Sequence, residues 1–198
     1  MEQDKIYSSA LDLIDAVRII FEAELAKNSV AAPTLQRLLA ELPKLRLDSE
    51  RSEASQQSVC RHLSRALDLA EAGSAASVAK AFRQLEPMLH WRQNPRYSAE
   101  NISTEFMDNY AYTTLGLTGG TTLSFGILLL GPGITYPLTS YPSEGVFLVI
   151  GGSPEWKCGD EPWVSVDTGC IVCRPPHGAE GKRPGKEPLL ALYAWLPL

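Results

Sequence analysis

GPGITYPLTSYPSEGVFLVIGG, residues 131–152, decides the fold of this 198-residue chain. Glycine, proline and serine separate two short segments that are typical of β-strands, residues 134–136 and 146–150. Similar segments continue on both sides, each bounded by Gly, Pro, Asp or Ser, and they predict strands at 109–117, 122–130, 155–157, 163–166, 171–173 and 189–196. Gly119-Gly120 predicts a hairpin turn between the first two of these. About eight short strands with this spacing predict an antiparallel barrel or jelly roll.

The first part of the chain has a different periodicity, with apolar residues at helical spacing. The pattern is clear in residues 5–27, where one face carries Leu11, Ile14, Val17, Phe21 and Leu25. Three more amphipathic segments follow before residue 92, and the helical pattern then disappears. The chain is therefore predicted to be α+β, with a helical region at 1–92 and a C-terminal antiparallel barrel at 93–198.

Local residues predict where these helices begin and end. Asn28 is expected to end the first helix and Pro43 the second. Asp48 or Ser49 is a good N-cap for the third helix, and Gly73 is expected to end it.

Composition excludes several classes of protein. The net charge of −5 and isoelectric point near 5.3 argue against a nucleic-acid-binding surface. No run of about 18 apolar residues is present, so no membrane span is predicted. The acidic start lacks the basic and apolar regions of a secretory signal, and the four cysteines are too scattered for a disulfide framework. Together these features predict a cytoplasmic protein.

The stretch at 131–152 resembles the first motif of the cupins, in which a glycine, two histidines, a glutamate and a closing glycine stand at fixed spacing. Counted from Gly133, the histidine positions hold Thr139 and Tyr141. The glutamate position holds Gly145, and Gly152 closes the motif. The spacing of the cupin motif is kept while its metal-ligating residue types are replaced.

A second cupin motif is similar to residues 169–180. Gly169 and Pro175 fall at the glycine and proline positions. His177 stands at the second glycine position, and Glu180 stands at the histidine position. The match to both frames identifies the C-terminal half as a member of the cupin family.

The chain also resembles a narrower group, the cupin-type dimethylsulfoniopropionate (DMSP) lyases of marine bacteria. The resemblance rests on NYAYTTLGL, on LLLGPGITYP, on VIGG followed by EWK and EPW, and on EPLLALYAWL. It implies a substrate held in the barrel near a divalent metal that acts as a Lewis acid. In that family a tyrosine takes a proton from the carbon next to the carboxylate, and dimethyl sulfide leaves to give acrylate. An aromatic wall would suit the sulfonium cation.

The resemblance also assigns candidate residues. The family's tyrosine before the proline corresponds to Tyr136, and the tyrosine after the glutamate corresponds to Phe147. We expect Tyr136 and Glu180 to be the catalytic candidates, because burial would raise the pKa of a carboxyl in the barrel. The expected substrate-binding residues are Tyr141, Phe147, Arg183 and Thr139, with Arg183 able to hold a carboxylate through two hydrogen bonds. The alternative is that Glu180 and Arg183 lie in a solvated loop with Lys182 and Lys186.

The replaced ligands predict a cavity without a metal or other cofactor. The alternative is an altered site that retains a divalent transition metal. Its candidate ligands lie on the two motif turns, and they are Tyr141, Glu144, His177 and Glu180.

Two functions follow from these residues. The first is the carbon–sulfur β-elimination of the DMSP lyases. The second is a non-catalytic, metal-free cupin that binds a small zwitterionic or carboxylate molecule. A third interpretation makes residues 5–45 a docking platform, and the partners expected include a second copy of the chain in a homodimer.

Overall fold

The computed structural model describes residues 2–45, 53–115 and 123–197. Within these ranges the fold is α+β, with N-terminal helices followed by an antiparallel jelly roll. The helices are α1 (Glu2–Leu25), α2 (Ala32–Glu41), α3 (Leu63–Glu71), α4 (Ala76–Leu85) and α5 (Thr104–Asp108). Short 3₁₀ helices span Leu42–Lys44, Ser58–His62 and Glu86–Met88. The strands are β1 (Tyr110–Thr114), β2 (Ser124–Leu130), β3 (Tyr136–Ser140), β4 (Glu144–Gly151), β5 (Glu155–Cys158), β6 (Val164–Ser165), β7 (Ile171–Arg174), β8 (Ala179–Arg183) and β9 (Leu189–Leu196).

Two antiparallel sheets face each other in the C-terminal half. One has the order β1-β2-β9-β4-β7, and the other has the order β3-β8-β5-β6. The last strand, β9, lies in the middle of the larger sheet between β2 and β4. From β2 onward the chain crosses repeatedly between the two sheets, so residues of both motifs come to lie on the walls of the space between them.

The two faces of the larger sheet have different neighbours. Leu190, Leu192 and Ala194 of β9 join a core that also contains the buried residues of α1–α4. Leu189 and Tyr193, on the opposite face, join a second cluster inside the jelly roll. This follows from strand geometry, because successive side chains point to opposite faces. The helical layer thus covers one face of the sheet and leaves the other for the interior of the jelly roll.

Some helix limits agree with the prediction. Asn28 has a φ of 56°, in the left-handed region common just after a helix end, and Pro43 lies in the turn after α2. The predicted N-cap at Asp48 or Ser49 and the predicted turn at Gly119-Gly120 lie outside the described residues. The third helical segment begins with a 3₁₀ turn at Ser58, and α3 itself starts at Leu63. No helix in the described ranges has the length and apolarity to cross a membrane.

Two strands differ from the prediction. The strand expected at 134–136 lies at Tyr136–Ser140. The strand β8 contains Glu180 and Arg183, for which a solvated loop is the alternative in the sequence analysis. In β8 the side chains of Glu180 and Lys182 are 1% and 2% exposed. The loop alternative is therefore wrong, because β8 pairs with both β3 and β5.

The connector between the helices and the jelly roll is anchored at both ends. Arg92 and Tyr112 exchange two backbone hydrogen bonds of 2.9 Å, which attaches the connector to β1. The hydroxyl of Ser103 accepts a hydrogen bond from the Phe106 amide at 3.0 Å and caps α5. These contacts place Arg92 at the edge of the jelly-roll interior and Phe106 within its aromatic cluster.

Candidate functional site

A cavity of about 320 Å³ lies between the two sheets. Both sheets and the connector contribute to its wall, which is rich in aromatic rings. The lining residues are Arg92, Asn94, Tyr110, Tyr112, Thr114, Ser124, Leu128, Tyr136, Thr139, Tyr141, Phe147, Glu180, Lys182, Tyr193 and Trp195. A volume of this size suits a small molecule.

Five of the sequence-predicted site residues line this one cavity: Tyr136, Thr139, Tyr141, Phe147 and Glu180. They come from β3, the turn after it, β4 and β8, and Thr139 stands opposite Glu180 in the ladder between β3 and β8. Four of these residues face inward from strands, and Tyr141 reaches the cavity from the turn after β3.

A buried cluster of charges lies at the cavity wall, where Glu180 and Lys182 line the cavity and Arg174 lies behind Glu180. The Nζ atom of Lys182 lies 3.1 Å from Oε1 of Glu180, and Nε of Arg174 lies 3.8 Å from the same oxygen. The indole Nε1 of Trp156 donates a hydrogen bond of 3.3 Å to the other carboxylate oxygen. The side chains of all three charged residues are 1–2% exposed. Two cations thus share one carboxylate in a place from which water is largely excluded.

Lys182 is also enclosed by aromatic rings. Its Nζ atom lies 4.2 Å from the ring centroid of Phe147, and 4.8 Å from those of Tyr136 and Trp156. Burial lowers the pKa of Lys182, and the charge of Glu180 opposes that shift. The ring faces and the carboxylate favour the ammonium form, so the side chain is held by one ion pair and three cation–π contacts.

Arg174 is held in a similar way beside the cavity. Its guanidinium lies 3.7 Å from the ring centroid of Trp195 and 5.2 Å from that of Tyr141. Its Nη2 atom donates to the backbone and hydroxyl oxygens of Ser143. Among the described residues its Nη1 atom is buried without a hydrogen-bond partner. Burial lowers the pKa of Arg174.

Tyr136 is 7% exposed, and its hydroxyl lies 3.1 Å from the hydroxyl of Tyr97. Burial raises the pKa of Tyr136, and it raises the pKa of Tyr97 to about 12. Both phenols are therefore neutral at physiological pH. A neutral phenol can donate a hydrogen bond to a ligand, but it is a weak base.

Three predicted residues lie away from the cavity. Arg183 follows Lys182 on β8, so its side chain points to the opposite face of the sheet. There its Nε atom donates a hydrogen bond of 2.7 Å to the carboxylate of Glu155, and its guanidinium lies 4.5 Å from the ring centroid of Trp163. Glu144 forms an ion pair with Arg37 of α2. The placement corrects the expectation for Arg183, since Lys182 and not Arg183 brings positive charge into the cavity.

His177 also lies outside the cavity and is exposed. Its φ is 59°, which fits its place at a glycine position of the second motif. Its amide donates to the carbonyl of Tyr141 at 2.8 Å, and its carbonyl accepts from Ser140. These backbone contacts join the two motif turns, while the imidazole does not line the cavity.

Gly145, at the glutamate position, lies where the backbone leaves no space for a side chain. A Cβ atom there would lie 2.4 Å from the carbonyl oxygen of Ala194. In the described parts of the chain, no three side chains of His, Cys, Asp or Glu come together as candidate metal ligands.

Sequence reasoning missed Lys182, Arg174 and Trp156 as parts of the site. A usable signal was present for Lys182, because it stands two residues after Glu180 and therefore on the same strand face. The segment has a glycine and several charges, which hid its strand character. Arg174 and Trp156 are on strands distant in sequence, and only their tertiary positions reveal them.

Comparison with known proteins identifies relatives of this chain. It is 24% identical over 124 residues to the dimethylsulfoniopropionate lyase DddQ of Ruegeria pomeroyi, a match that spans 61% of each chain. It is 30% identical over 142 residues to the putative dimethylsulfoniopropionate lyase DddL of Cereibacter sphaeroides, spanning 69% of this chain and 58% of that one. The chain thus matches less than two thirds of the length of either curated relative.

Solved structures share the fold. A crystal structure reported for the DMSP lyases RdDddP and RnDddQII matches this chain with a TM-score of 0.76 at 18% sequence identity. The match covers 96% of this chain and 92% of that one. The crystal structure of the DMSP lyase DddQ from Ruegeria pomeroyi matches with a TM-score of 0.66 at 20% sequence identity. That match covers 89% of this chain and 91% of the DddQ chain. The sequence model of the dimethylsulfoniopropionate lyase family matches residues 27–191. This chain belongs to the dimethylsulfoniopropionate lyase family.

Proposed function

We propose that this protein binds a small carboxylate-bearing molecule in the cavity between its two sheets. The observation that carries the proposal is the convergence of five family site positions and a buried positive charge on one cavity of about 320 Å³. A carboxylate is the functional group that such a site binds best, because charge-assisted hydrogen bonds are strong where water is excluded. The neutral hydroxyl of Tyr136 is a second donor for the same ligand.

The cofactor expected from the family is a divalent transition metal, and the residues here do not fit one. The positions of the glutamate and of the following tyrosine are held by Gly145 and Phe147, which offer no ligand atoms. The remaining carboxylate, Glu180, has an ammonium 3.1 Å away. A metal bound to that carboxylate would be repelled by Lys182 and Arg174 at short range.

The test is ligand-dependent thermal stabilisation of the purified full chain. Acrylate, propionate and dimethylsulfoniopropionate are the probes, each added over a range of concentrations. A ligand that binds only the folded state raises the melting temperature in proportion to the logarithm of its concentration above Kd. If no carboxylate-bearing probe shifts the melting temperature, the binding proposal is wrong.

Carbon–sulfur β-elimination is the second candidate, favoured by the placement of the Glu180–Lys182 pair in the cavity. In this reaction Glu180 would take the proton from the carbon next to the substrate carboxylate. The electron pair of that C–H bond would form the C=C bond, and the C–S bond would break with its electrons leaving on dimethyl sulfide. Lys182 would stabilise the negative charge that develops on the substrate carboxylate.

Headspace detection of dimethyl sulfide tests this second candidate. Release from dimethylsulfoniopropionate is measured with wild type and Glu180→Gln, each with chelator and with added Mn²⁺, Fe²⁺ or Zn²⁺. Release by wild type that the variant lacks, with the variant shown to be folded by circular dichroism, would support elimination. Absence of release under every metal condition would remove it and leave the binding proposal unaffected.

A further inference from the structure

We propose that the ammonium of Lys182 is the resident cation of this cavity, occupying the role of the family's metal ion, and that the cavity selects monoanionic carboxylates over sulfonium zwitterions. This inference rests on the proposed binding function and names the ligand class. It also argues against a sulfonium compound as the preferred ligand.

The first support is the surroundings of Lys182. One carboxylate oxygen lies at 3.1 Å, and three aromatic ring centroids lie at 4.2–4.8 Å. This is the set of groups that stabilises a cation inside a protein. A cation that is covalently part of the chain needs no binding equilibrium, so the site is always occupied.

The second support is the balance of charge at the cavity. Lys182 and Arg174 carry two positive charges, and Glu180 is the one acidic side chain among the described residues that line the cavity. Arg92 adds a further positive charge at the exposed edge. The region is left with an excess of positive charge, which a monoanionic ligand reduces and a zwitterion with no net charge does not.

The third support is that most of the aromatic rings at the cavity already contact a cation of the chain. Lys182 lies over the rings of Tyr136, Phe147 and Trp156. Arg174 lies over Trp195 and Tyr141, and Arg92 lies 5.0 Å from the centroid of Tyr112. A sulfonium group would have to compete with these cations for the ring faces and would be repelled by them.

The fourth support is an unused donor. The Nη1 atom of Arg174 is buried and lacks a hydrogen-bond partner within the described residues. A buried donor without a partner costs free energy, and a ligand carboxylate that takes over the contact with Lys182 lets Glu180 shift towards Arg174 and recover it.

The experiment compares ligands that differ in one feature. 4-Methylpentanoate has the shape of dimethylsulfoniopropionate with a neutral carbon in place of the sulfonium, and 4-methylpentanamide removes the carboxylate charge. Affinities are measured by calorimetry with the intact chain in the presence of EDTA. We expect 4-methylpentanoate to bind at least about tenfold more tightly than either of the other two, because a competing cation or a lost ion pair costs about that much.

Variants test the residue itself. Lys182→Met should weaken 4-methylpentanoate binding by at least about tenfold, while Lys182→Arg should keep most of it. Lys186→Met removes an exposed lysine four residues away and should change nothing. If Lys182→Met does not fold, the double variant Glu180→Gln/Lys182→Met replaces it in the binding measurement, because it removes both members of the ion pair.

The outcomes separate this inference from the binding proposal. Equal affinity for the sulfonium and carbon ligands, unchanged affinity in folded Lys182→Met, or a requirement for added Mn²⁺ or Zn²⁺ would each overturn it while the binding proposal stood. If no carboxylate binds wild type at all, the binding proposal itself fails.

Discussion

The two faces of the five-stranded sheet are made by the same strands and perform different tasks. Towards the helices, β9 presents Leu190, Leu192, Ala194 and Leu196, which pack into a continuous apolar core. Towards the cavity, it presents Tyr193 and Trp195 next to a buried cluster of charges. The difference teaches that one face stabilises the fold by excluding water, while the other face uses the same exclusion to strengthen charge interactions.

The largest effect is expected from breaking the charge cluster on the cavity face. Glu180→Gln leaves Lys182 and Arg174 buried without a counter-charge, and should lower the free energy of unfolding by about 3–5 kcal/mol. Chemical denaturation measures it. Glu155→Gln, which removes an exposed ion pair with Arg183, is the matched control and should cost less than about 1 kcal/mol. Equal losses in both variants would contradict the role of burial.

Leu192→Ala probes the opposite face of the same sheet. Leu192 is fully buried against the helices, so its truncation should cost about 2–5 kcal/mol in unfolding free energy through lost burial and a cavity. Leu138→Ala, at a side chain 48% exposed, should cost much less. Ligand affinity of the folded Leu192→Ala protein should stay at the wild-type level, and a change would show that the two faces are coupled.

Gly145→Ala tests the close approach of β4 and β9 at the family's glutamate position. The added Cβ would meet the Ala194 carbonyl oxygen at 2.4 Å, so we expect a loss of about 1–3 kcal/mol by thermal or chemical denaturation. At Gly185, where an added Cβ would lie 4.0 Å from the carbonyl oxygen of Ser153, the same substitution should be nearly neutral. Wild-type stability of Gly145→Ala would show that the strands can move apart there.

Ser103→Ala removes the N-cap of α5, which positions Phe106 in the aromatic cluster. A loss of about 1 kcal/mol is expected, and Ser103→Gly should lose only a few tenths. The measurement is the midpoint of chemical denaturation. An unchanged slope of the free energy of unfolding against denaturant concentration would show that the substitution alters stability and not the compactness of the unfolded state. Wild-type stability of Ser103→Ala would mean that the hydroxyl is not a stabilising group.

Metal removal should have the smallest effect of all. Dialysis against EDTA is expected to leave the melting temperature and the affinity for 4-methylpentanoate unchanged, because Lys182 supplies the cation of the cavity. A fall in either quantity that Zn²⁺ or Mn²⁺ restores would contradict this. Melting curves recorded before and after dialysis, and again after metal addition, give the comparison.

Much of the site could be predicted from residue spacing. The two cupin frames place Thr139, Tyr141 and Glu180, the resemblance to the lyase family adds Tyr136 and Phe147, and the structure puts all five on one cavity. The frames could not indicate that Arg183 faces outward, since that depends on β8 being a strand. Pairing with β3 and β5 imposes the strand conformation on a sequence with weak intrinsic preference for it.

The sequence by itself determined the order of helices before strands, the turns at the motif glycines and the replacement of the metal-ligating residue types. Those features depend on residue types and periodicity within short segments of the sequence, so they need no information about contacts between distant segments. Only the tertiary structure decided that Lys182 is buried beside Glu180, among Phe147, Tyr136 and Trp156. A charged side chain is stable in an interior only when compensating groups surround it, and the packing of the two sheets brings the rings of β3, β4 and β5 around Lys182.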